Sequence, residues 1–343
     1  MINLNIPGFM DKYYVELTGI GESQVSKETI DEQLKDKEVL IKCDYSLISA
    51  GTELSRAFAL KQGFKYPVRP GYSNVGHVLD SKDDRFKKGD LVAYSGPHAS
   101  VDKIIDSNET QGLKIYKLDN DTDEKQATFF NLMLVAMQGV RLANVKIGDN
   151  VAIFGLGNIG IIVALMFQNM GCNVIGLDPV VNRCKLAKEM GLKNVSSDVD
   201  QKKVVDEFTN NKGCDITYDV TGVSQVIIKA VECTRAYGQC VLLGSPRQSF
   251  ECDVTPLLSN IHMKNITVIG AFNKTAPIDA HEGSNNSVNQ NLNRSMDMIN
   301  SKQIDLEKLI GLVTDPKNCK DCYYDLMYNK DKYNAIIFDW RNY

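Results

Sequence analysis

Three glycines and one acidic residue in the middle of the chain have a spacing that suits a charged ligand. Gly155, Gly157 and Gly160 form a G-x-G-x-x-G segment, and Asp178 follows Gly155 by 23 residues. In such a segment the first glycine permits a tight turn, and the second lets the backbone approach a pyrophosphate. The third glycine lets a helix pack closely against its strand.

The residues around this segment predict the elements that must position it. Residues 151–154 and 172–177 are short apolar runs, which are typical of strands buried on both faces. Residues 161–170 are apolar nearly all round and predict a helix between them. The N-terminus of that helix, preceded by Asn158 and Ile159, would offer N–H groups and a positive dipole end to phosphate oxygens. This order of elements predicts a dinucleotide site.

Asp178 bears on which dinucleotide binds. Its offset from Gly155 is close to the roughly 20 residues expected of the acid that accepts both hydroxyls of the adenosine ribose. A carboxylate there also repels the 2′-phosphate of NADP, so the sequence favours NAD as the cofactor. Arg183 lies close enough in sequence to offset part of that repulsion.

The composition is that of an ordinary globular chain. Its 343 residues suffice for two domains, and 43% of them are hydrophobic and 24% charged. The net charge of −4 is spread over interspersed residues of both signs, so we expect no nucleic-acid and no membrane partner. The first residues lack the pattern of a signal peptide. Nine irregularly spaced cysteines predict reduced thiols and a cytoplasmic location.

One cysteine pair has a spacing that can bind a metal or act in redox chemistry. Cys319 and Cys322 form C-x-x-C in a polar stretch that has no second pair and no histidine nearby. We interpret them as two incidental thiols in a loop.

The pattern of elements predicts an α/β protein with two domains. The first 120 residues are rich in β-forming residues and punctuated by Gly and Pro, which favours a compact, barrel-like antiparallel domain. From residue 151 onward strands alternate with helices, which predicts a parallel sheet covered on both faces. A last strand, 335–340, should return to the first domain. The predicted domains are 1–122 with 275–343, and 123–274.

Several motifs resemble one large enzyme superfamily. They are I-S-A-G-T-E at 48–53, P-G-Y-S-N-V-G at 70–76, F-K-K-G-D-L-V at 86–92, G-P-H-A at 96–99, Q-G-V-R-L-A at 138–143 and V-K-I-G-D-N-V at 145–151. Over essentially its whole length the chain is similar to medium-chain dehydrogenases/reductases. The resemblance implies a β-rich GroES-like barrel catalytic domain and a Rossmann domain with a doubly wound parallel sheet. Within the superfamily the motifs resemble a zinc-less branch that includes bacteriochlorophyllide dehydrogenase and the first half of two-domain polysaccharide-biosynthesis oxidoreductases.

Departures from the zinc-dependent members concern the metal. Where those enzymes carry a cysteine, a histidine and a third Cys or Glu ligand, the matching positions here are Ala50, Tyr72 and Asn131. Alanine cannot bind a metal, and neither a phenol nor a neutral amide suits Zn²⁺. No cysteine lies between Cys43 and Cys172, so the four-cysteine structural zinc lobe is missing too. We therefore expect no metal.

Without zinc, other groups must exchange the hydroxyl proton during hydride transfer. The resemblance makes Thr52 the first candidate, because it matches the Ser/Thr that handles this proton in the zinc enzymes. Tyr72 could present its phenol to the same oxygen, and Glu53 could orient either group or act as a base. His98 has a suitable pKa range. Each also has a purely structural interpretation: a tight turn for Thr52, filled volume for Tyr72 and a loop contact for His98.

The ends of later strands complete the predicted cofactor site. Ligands bind at the carboxyl ends of strands in such sheets, and the matching superfamily segments border the nicotinamide ribose and carboxamide. Thr221, Gly244 and Ala271 are the candidates. The resemblance also implies a homodimer joined through edge strands, with strand 266–271 as the candidate edge.

These features predict a zinc-independent, NAD-linked oxidoreductase that interconverts a secondary alcohol and a ketone. The resemblance implies a polyol, sugar or cyclitol derivative as the small-molecule substrate. Two alternatives stay open. One is an NAD(P)H-dependent reductase of conjugated double bonds or quinones, and the other is a dinucleotide-binding sensor without turnover.

Overall fold

A computed structural model describes residues 8–60, 63–105, 114–246, 249–283 and 286–343. The chain divides into two compact units, Met1–Asn131 with Met296–Tyr343 and Leu132–Ser295. We call the first the mixed-sheet unit and the second the parallel-sheet unit.

The described residues form fifteen strands and ten α-helices. The strands are β1 (Phe9–Gly19), β2 (Glu22–Asp31), β3 (Glu38–Leu47), β4 (Asn74–Ser81), β5 (Leu91–Tyr94), β6 (Val101–Ile105), β7 (Ile115–Lys117), β8 (Asn150–Phe154), β9 (Asn173–Leu177), β10 (Asn194–Ser196), β11 (Cys214–Asp219), β12 (Thr234–Leu242), β13 (Thr267–Gly270), β14 (Ile310–Thr314) and β15 (Ala335–Asp339). The helices are α1 (Ala50–Ala57), α2 (Glu124–Ala127), α3 (Phe130–Leu142), α4 (Asn158–Asn169), α5 (Val181–Glu189), α6 (Gln201–Thr209), α7 (Ser224–Cys233), α8 (Thr255–Lys264), α9 (Val288–Asn300) and α10 (Cys319–Tyr328). Three short 3-10 helices lie at Asn273–Thr275, Glu307–Leu309 and Pro316–Asn318.

The mixed-sheet unit is built around β3. The sheet order is β14-β15-β3-β4-β5-β7, with β6 also paired to β3. One edge of β3 pairs with β6 over Glu38–Lys42 and then with β15 over Tyr45–Leu47, while two register shifts interrupt its pairing with β4. Such bulges bend a strand and increase its twist. The long strand can therefore pair with two strands in succession along one edge, as expected of a curled sheet.

The returning strand is confirmed. β15 is antiparallel to β3 and parallel to β14. It continues into Trp340, which is fully buried in the same apolar cluster as Leu17, Ile41 and Phe338.

A separate hairpin of β1 and β2 lies against this sheet. Its inner strand bonds to neighbouring loops through Val15 N–H to the His98 carbonyl, at 2.9 Å, and Leu17 N–H to the Val68 carbonyl, at 2.9 Å. A buried ion pair between Lys12 and Asp102, with the Nζ and Oδ1 atoms 2.5 Å apart, links β1 to β6. Burial outweighs this cation and raises the pKa of Asp102 to about 6.

The parallel-sheet unit has the predicted doubly wound fold. Its six strands run in the order β10-β9-β8-β11-β12-β13, and every neighbouring pair is parallel. Strand order reverses next to β8, which is the arrangement that binds dinucleotides at the carboxyl ends of the strands. β8 and β9 are almost wholly buried, in agreement with their continuous apolar runs. The predicted fold class is confirmed.

The boundaries between the units differ from the predicted ones. They fall after Asn131 and Ser295, inside α3 and α9, whereas the prediction placed them after residues 122 and 274. A helix that continues through a boundary leaves no Gly or Pro signal in the sequence. The sequence also contains no clear signal for α8: Leu257 and Ile261 pack against the core of the unit, but every residue of the helix is at least partly exposed.

The loop interpretation of the C-x-x-C pair is wrong. Cys319 is the first residue of α10, and Cys322 lies one turn later. Both side chains are buried in the apolar cluster of the mixed-sheet unit. Burial raises the pKa of both thiols, that of Cys322 to about 12, which keeps them protonated. All nine cysteines are free.

None of the helices among the described residues is both long enough and apolar enough to cross a membrane.

Candidate active site

The glycine turn between β8 and α4 is closely packed at two of its glycines. Gly155 has φ +101°, and a Cβ atom there would lie 2.7 Å from the Thr221 methyl group. A Cβ at Gly160 would lie 1.8 Å from the Gly155 carbonyl oxygen. Only glycine fits both positions, so the first and third glycines have the structural tasks that the spacing predicts.

Gly157 is different because nothing in the protein crowds it. It is the N-cap of α4 with φ −71°, and no protein atom lies within 4 Å of where its Cβ would be. Asn158 and Ile159 are the next two residues, in the first helical turn. Backbone N–H groups in that turn have no partner further back in the helix. The open space at Gly157 therefore suits the close approach of a ligand phosphate.

Asp178 follows β9 and is almost fully buried. Its Oδ2 accepts a hydrogen bond from Leu156 N–H at 2.8 Å, and its Oδ1 accepts one from Val180 N–H at 2.9 Å. The acid thus fixes the glycine turn. Oδ1 keeps a second lone pair, so the same group can still accept a bond from a ribose hydroxyl.

Arg183 reaches the same carboxylate from α5. Its Nη1 lies 3.3 Å from Asp178 Oδ2, and its side chain is 29% exposed. The sequence suggested that Arg183 could soften the repulsion of a 2′-phosphate, and the structure brings the two charges together.

The ends of β11 and β12 approach each other closely. A Cβ at Gly244 would lie 2.2 Å from the Gly222 nitrogen, so these turns pass almost in contact. Buried Asp219 fixes the first of them: its carboxylate accepts from Thr221 N–H and Gly222 N–H, each at 3.0 Å. Its backbone carbonyl accepts from Gly244 N–H at 2.9 Å. Sequence reasoning named Thr221 and Gly244 but missed the role of Asp219. Ala271, the third candidate, is buried just after β13.

In the mixed-sheet unit a phenol lies among hydroxyl groups. The Tyr72 hydroxyl is hydrogen-bonded to the Ser49 side chain, and the Thr52 hydroxyl is close enough to the phenol to lower its pKa. Thr52 is exposed in the first turn of α1, whereas Ser49 is buried at the helix N-cap. The structure therefore brings together the two candidates for handling a substrate oxygen.

The environment of Tyr72 keeps its phenol neutral. Burial raises the pKa of Tyr72 above its ordinary value, and the nearby Glu53 charge adds to this effect. The hydroxyl groups of Ser49 and Thr52 oppose the shift because they can stabilise a phenolate. A neutral phenol is a proton donor at physiological pH.

Glu53 and His98 lie beneath this surface and bond to each other. Glu53 Oε2 is 2.9 Å from His98 Nε2 and accepts from the Tyr323 hydroxyl at 2.6 Å, while Oε1 accepts from Ser49 N–H at 2.7 Å. His98 has no exposed surface, and only 2% of Glu53 is exposed. Their direct catalytic roles stay predictions, and their bonds support a holding role.

One tautomer of His98 satisfies all of its neighbours. Trp340 Nε1–H can only donate, and it lies 2.8 Å from the Ser46 hydroxyl oxygen. That hydroxyl can then donate to His98 Nδ1, 2.8 Å away, and His98 Nε2–H can donate to Glu53 Oε2. Every hydrogen in the network then points toward the Glu53 carboxylate.

The residues at the metal-ligand positions do not suit zinc. The Asn131 side-chain amide donates to the Tyr72 carbonyl oxygen and lies 3.3 Å from the Ser95 hydroxyl, which places Asn131 beside Tyr72. Ala50 is the residue after Ser49 and has no donor atom. Among the described residues no group of three His, Cys, Asp or Glu side chains could hold a metal ion.

Parts of the chain are similar to known proteins. Residues 158–284 match the family described as zinc-binding dehydrogenase. D-guloside 3-dehydrogenase of Shigella flexneri is 31% identical over 171 residues, which are 48% of this chain and 47% of that protein. A 2-dehydro-3-deoxy-L-galactonate 5-dehydrogenase of Pseudoalteromonas atlantica is 25% identical over 65% of this chain and 61% of its own length. The chain thus matches about half to three fifths of the length of these relatives.

Solved structures share the fold over almost the whole chain. Galactitol-1-phosphate dehydrogenase from Escherichia coli has a TM-score of 0.81 at 19% identity and covers 95% of this chain and 99% of its own. A candidate zinc-binding dehydrogenase from Sinorhizobium meliloti, solved with NADP, has a TM-score of 0.77 at 16% identity and covers 96% of this chain and 99% of its own. These comparisons do not bear on the resemblance to bacteriochlorophyllide dehydrogenase, which stays a prediction.

The two outer glycines and the middle one should respond differently to a methyl group. Gly157→Ala should leave the melting temperature unchanged and weaken dinucleotide binding by about tenfold or more, because its Cβ enters only ligand space. Gly160→Ala should destabilise the fold by about 3 kcal/mol, because its Cβ meets a backbone carbonyl. Calorimetric melting and dinucleotide titration of both variants measure this. If Gly157→Ala binds the dinucleotide as tightly as the wild type, the phosphate does not lie against this turn.

Proposed function

We propose that this chain is a metal-independent, NAD-linked oxidoreductase of the medium-chain zinc-binding-type dehydrogenase superfamily. Its sequence and its fold both support this membership. It interconverts a secondary alcohol and a ketone on a polyol, sugar or cyclitol derivative. The observation that carries the proposal is the combination, in one chain, of a dinucleotide-type glycine turn and a phenol–hydroxyl cluster where relatives carry metal ligands. The sugar-acting relatives support the substrate class.

The parallel-sheet unit supplies the groups that would hold the dinucleotide. Gly157 and the first turn of α4 suit the pyrophosphate, Asp178 suits the adenosine ribose, and the turns at Thr221 and Gly244 suit the nicotinamide half. Bound nicotinamide would accept or donate the hydride. The Asp178 carboxylate supports NAD over NADP. Because Arg183 pairs with Asp178 and a structure of similar fold was solved with NADP, binding of NADP is measured beside that of NAD.

The mixed-sheet unit supplies the groups that would act on the substrate oxygen. A carbonyl oxygen needs hydrogen-bond donors as negative charge develops on it, and then a proton. Neutral Tyr72 can donate first the hydrogen bond and then the proton. Exposed Thr52 can link the phenolic oxygen of Tyr72 to water. Two hydroxyl donors would thus perform the polarisation that zinc performs in other dehydrogenases.

A substrate panel tests the proposed reaction. Purified protein with NAD and a range of polyols, or with NADH and a range of ketoses, should change the absorbance of the reduced nicotinamide. Activity should survive exhaustive chelation, because no group of three His, Cys, Asp or Glu side chains among the described residues could hold a metal ion. Loss of activity on chelation with recovery on zinc addition would contradict metal independence, and dinucleotide binding without turnover would favour a sensor.

The ribose assignment predicts the effect of Asp178→Ser. The variant should bind NAD about 10- to 100-fold more weakly, since hydrogen bonds to a charged acceptor are lost. NADP binding should change less, because repulsion of its 2′-phosphate is lost at the same time. Loss of the bonds to Leu156 and Val180 should weaken the binding of both dinucleotides equally. The ratio of the two dissociation constants therefore reports only the interaction of residue 178 with the ribose and its 2′-substituent. An unchanged ratio would refute the assignment.

The hydroxyl cluster predicts how turnover depends on Thr52 and on pH. Thr52→Ala should lower kcat more than it changes the dissociation constant for NADH. Because the raised pKa of Tyr72 keeps its phenol protonated, ketone reduction should stay level between about pH 6 and 9 and decline only at higher pH. Steady-state kinetics with NADH across this range provide the measurement. Full activity of Thr52→Ala would exclude Thr52 from the mechanism.

We also propose that the chain forms a homodimer through β13. This edge strand and the adjoining α8 expose apolar side chains at Leu258 (55%), Met263 (74%), Val268 (41%) and Phe272 (58%). An apolar edge with unpaired backbone groups invites pairing with a second copy.

Charge on this edge should separate the protomers. Val268→Lys should convert a dimer to a monomer in sedimentation equilibrium, because the lysine would have to lose its water in the interface. The matched control is Val199→Lys, at a valine of the same unit that is 79% exposed outside this face. A wild-type mass for Val268→Lys, or dissociation of both variants, would contradict the proposed interface.

A further inference from the structure

Ser49 occupies a helix-capping position without capping its helix. It is the N-cap residue of α1, with φ −86° and ψ 87°, and its side chain makes no cap bond to the first turn in the described structure. Serine is among the preferred N-cap residues because its oxygen accepts from the backbone N–H groups of that turn. The absence of this bond shows that the side chain is directed elsewhere.

The Ser49 hydroxyl is directed at Tyr72. The two side-chain oxygens are hydrogen-bonded, and the Ser49 residue is only 8% exposed. Thr52, whose hydroxyl lowers the pKa of the same phenol, is exposed. Tyr72 therefore has a buried hydroxyl partner in Ser49 and a water-accessible hydroxyl neighbour in Thr52.

The backbone of Ser49 is fixed from below. Its N–H donates to Glu53 Oε1 at 2.7 Å, and the other carboxylate oxygen accepts from Tyr323 and His98. Ser46 and Trp340 hold His98 in turn. This buried network leaves Ser49 little freedom to move away from Tyr72.

We infer that Ser49 is a positioning residue for Tyr72, held in place by Glu53 and His98. The inference rests on the proposed function. When Tyr72 gives its phenolic proton to the substrate oxygen, its O–H bond breaks and a phenolate remains. The Ser49 hydroxyl, which rotates freely about its C–O bond, then donates to that phenolate alongside Thr52. Water on the Thr52 side returns the proton to Tyr72.

Kinetics of serine variants test this role. Ser49→Ala should lower kcat for ketone reduction about 10- to 100-fold, the loss expected when a hydrogen bond to a charged group is removed, and change KM less than about threefold. Ser55→Ala is the matched control, since Ser55 is a buried serine of the same helix whose hydroxyl has no hydrogen-bond partner in the described structure. It should keep wild-type kinetics.

A double variant separates positioning from a general effect on structure. In the Tyr72→Phe background, Ser49→Ala should cause no further loss of kcat, because its partner is already gone. The inference is overturned if Ser49→Ala lowers kcat equally in both backgrounds, if Ser55→Ala lowers it as much, or if Ser49→Ala has wild-type kcat. Ser49→Thr, which keeps the hydroxyl, should recover most of the activity lost in Ser49→Ala.

An NMR measurement that needs no enzyme activity tests the role of Ser49 independently of the proposed reaction. With ¹³Cζ-tyrosine labelling, the resonance missing in Tyr72→Phe identifies Tyr72. Ser49→Ala should shift that resonance and Ser55→Ala should not. An unshifted resonance overturns the inference even in an active enzyme, whereas a shifted one supports it, and inactivity across the substrate panel counts only against the proposed reaction.

Discussion

The buried Glu53 carboxylate is the interaction on which the arrangement of the mixed-sheet unit depends. A charge removed from water needs hydrogen-bond donors, and this one takes them from three separate parts of the chain: Ser49, His98 and Tyr323. The donors come from the N-cap of α1, the loop before β6 and α10, so satisfying one carboxylate fixes three segments. The positive end of α1 also favours the charge in its first turn.

Two aspartates act in the same way in the parallel-sheet unit. Asp178 accepts from the backbone of the glycine turn, and Asp219 accepts from the turn after β11. Both residues are almost fully buried at the carboxyl end of a strand. The loops proposed to hold the dinucleotide are therefore shaped by buried acids before any ligand arrives, which lowers the conformational cost of binding.

The sequence predicted those features that depend on local spacing. The glycine turn, Asp178 and, apart from α8, the alternation of strands and helices in the parallel-sheet unit follow from short-range periodicity, and the structure has them where they were expected. Features created by long-range packing could not be predicted. Glu53 meets Tyr323 across 270 residues, and the side-chain bond between Ser49 and Tyr72 replaces a cap that the sequence would favour. The helical setting of Cys319 was hidden by the polar residues around it, although its side chain is buried.

The burial of the cysteines has a practical consequence. Eight of the nine thiols are buried, and only Cys252 is exposed. Burial raises the pKa of Cys172 and Cys240 to about 11, and a protonated thiol inside a core does not attack an electrophile. A maleimide at neutral pH should therefore modify the native protein at a single position, three residues before α8. The natural sequence thus offers one attachment point for a fluorophore or spin label, and no other cysteine has to be removed first.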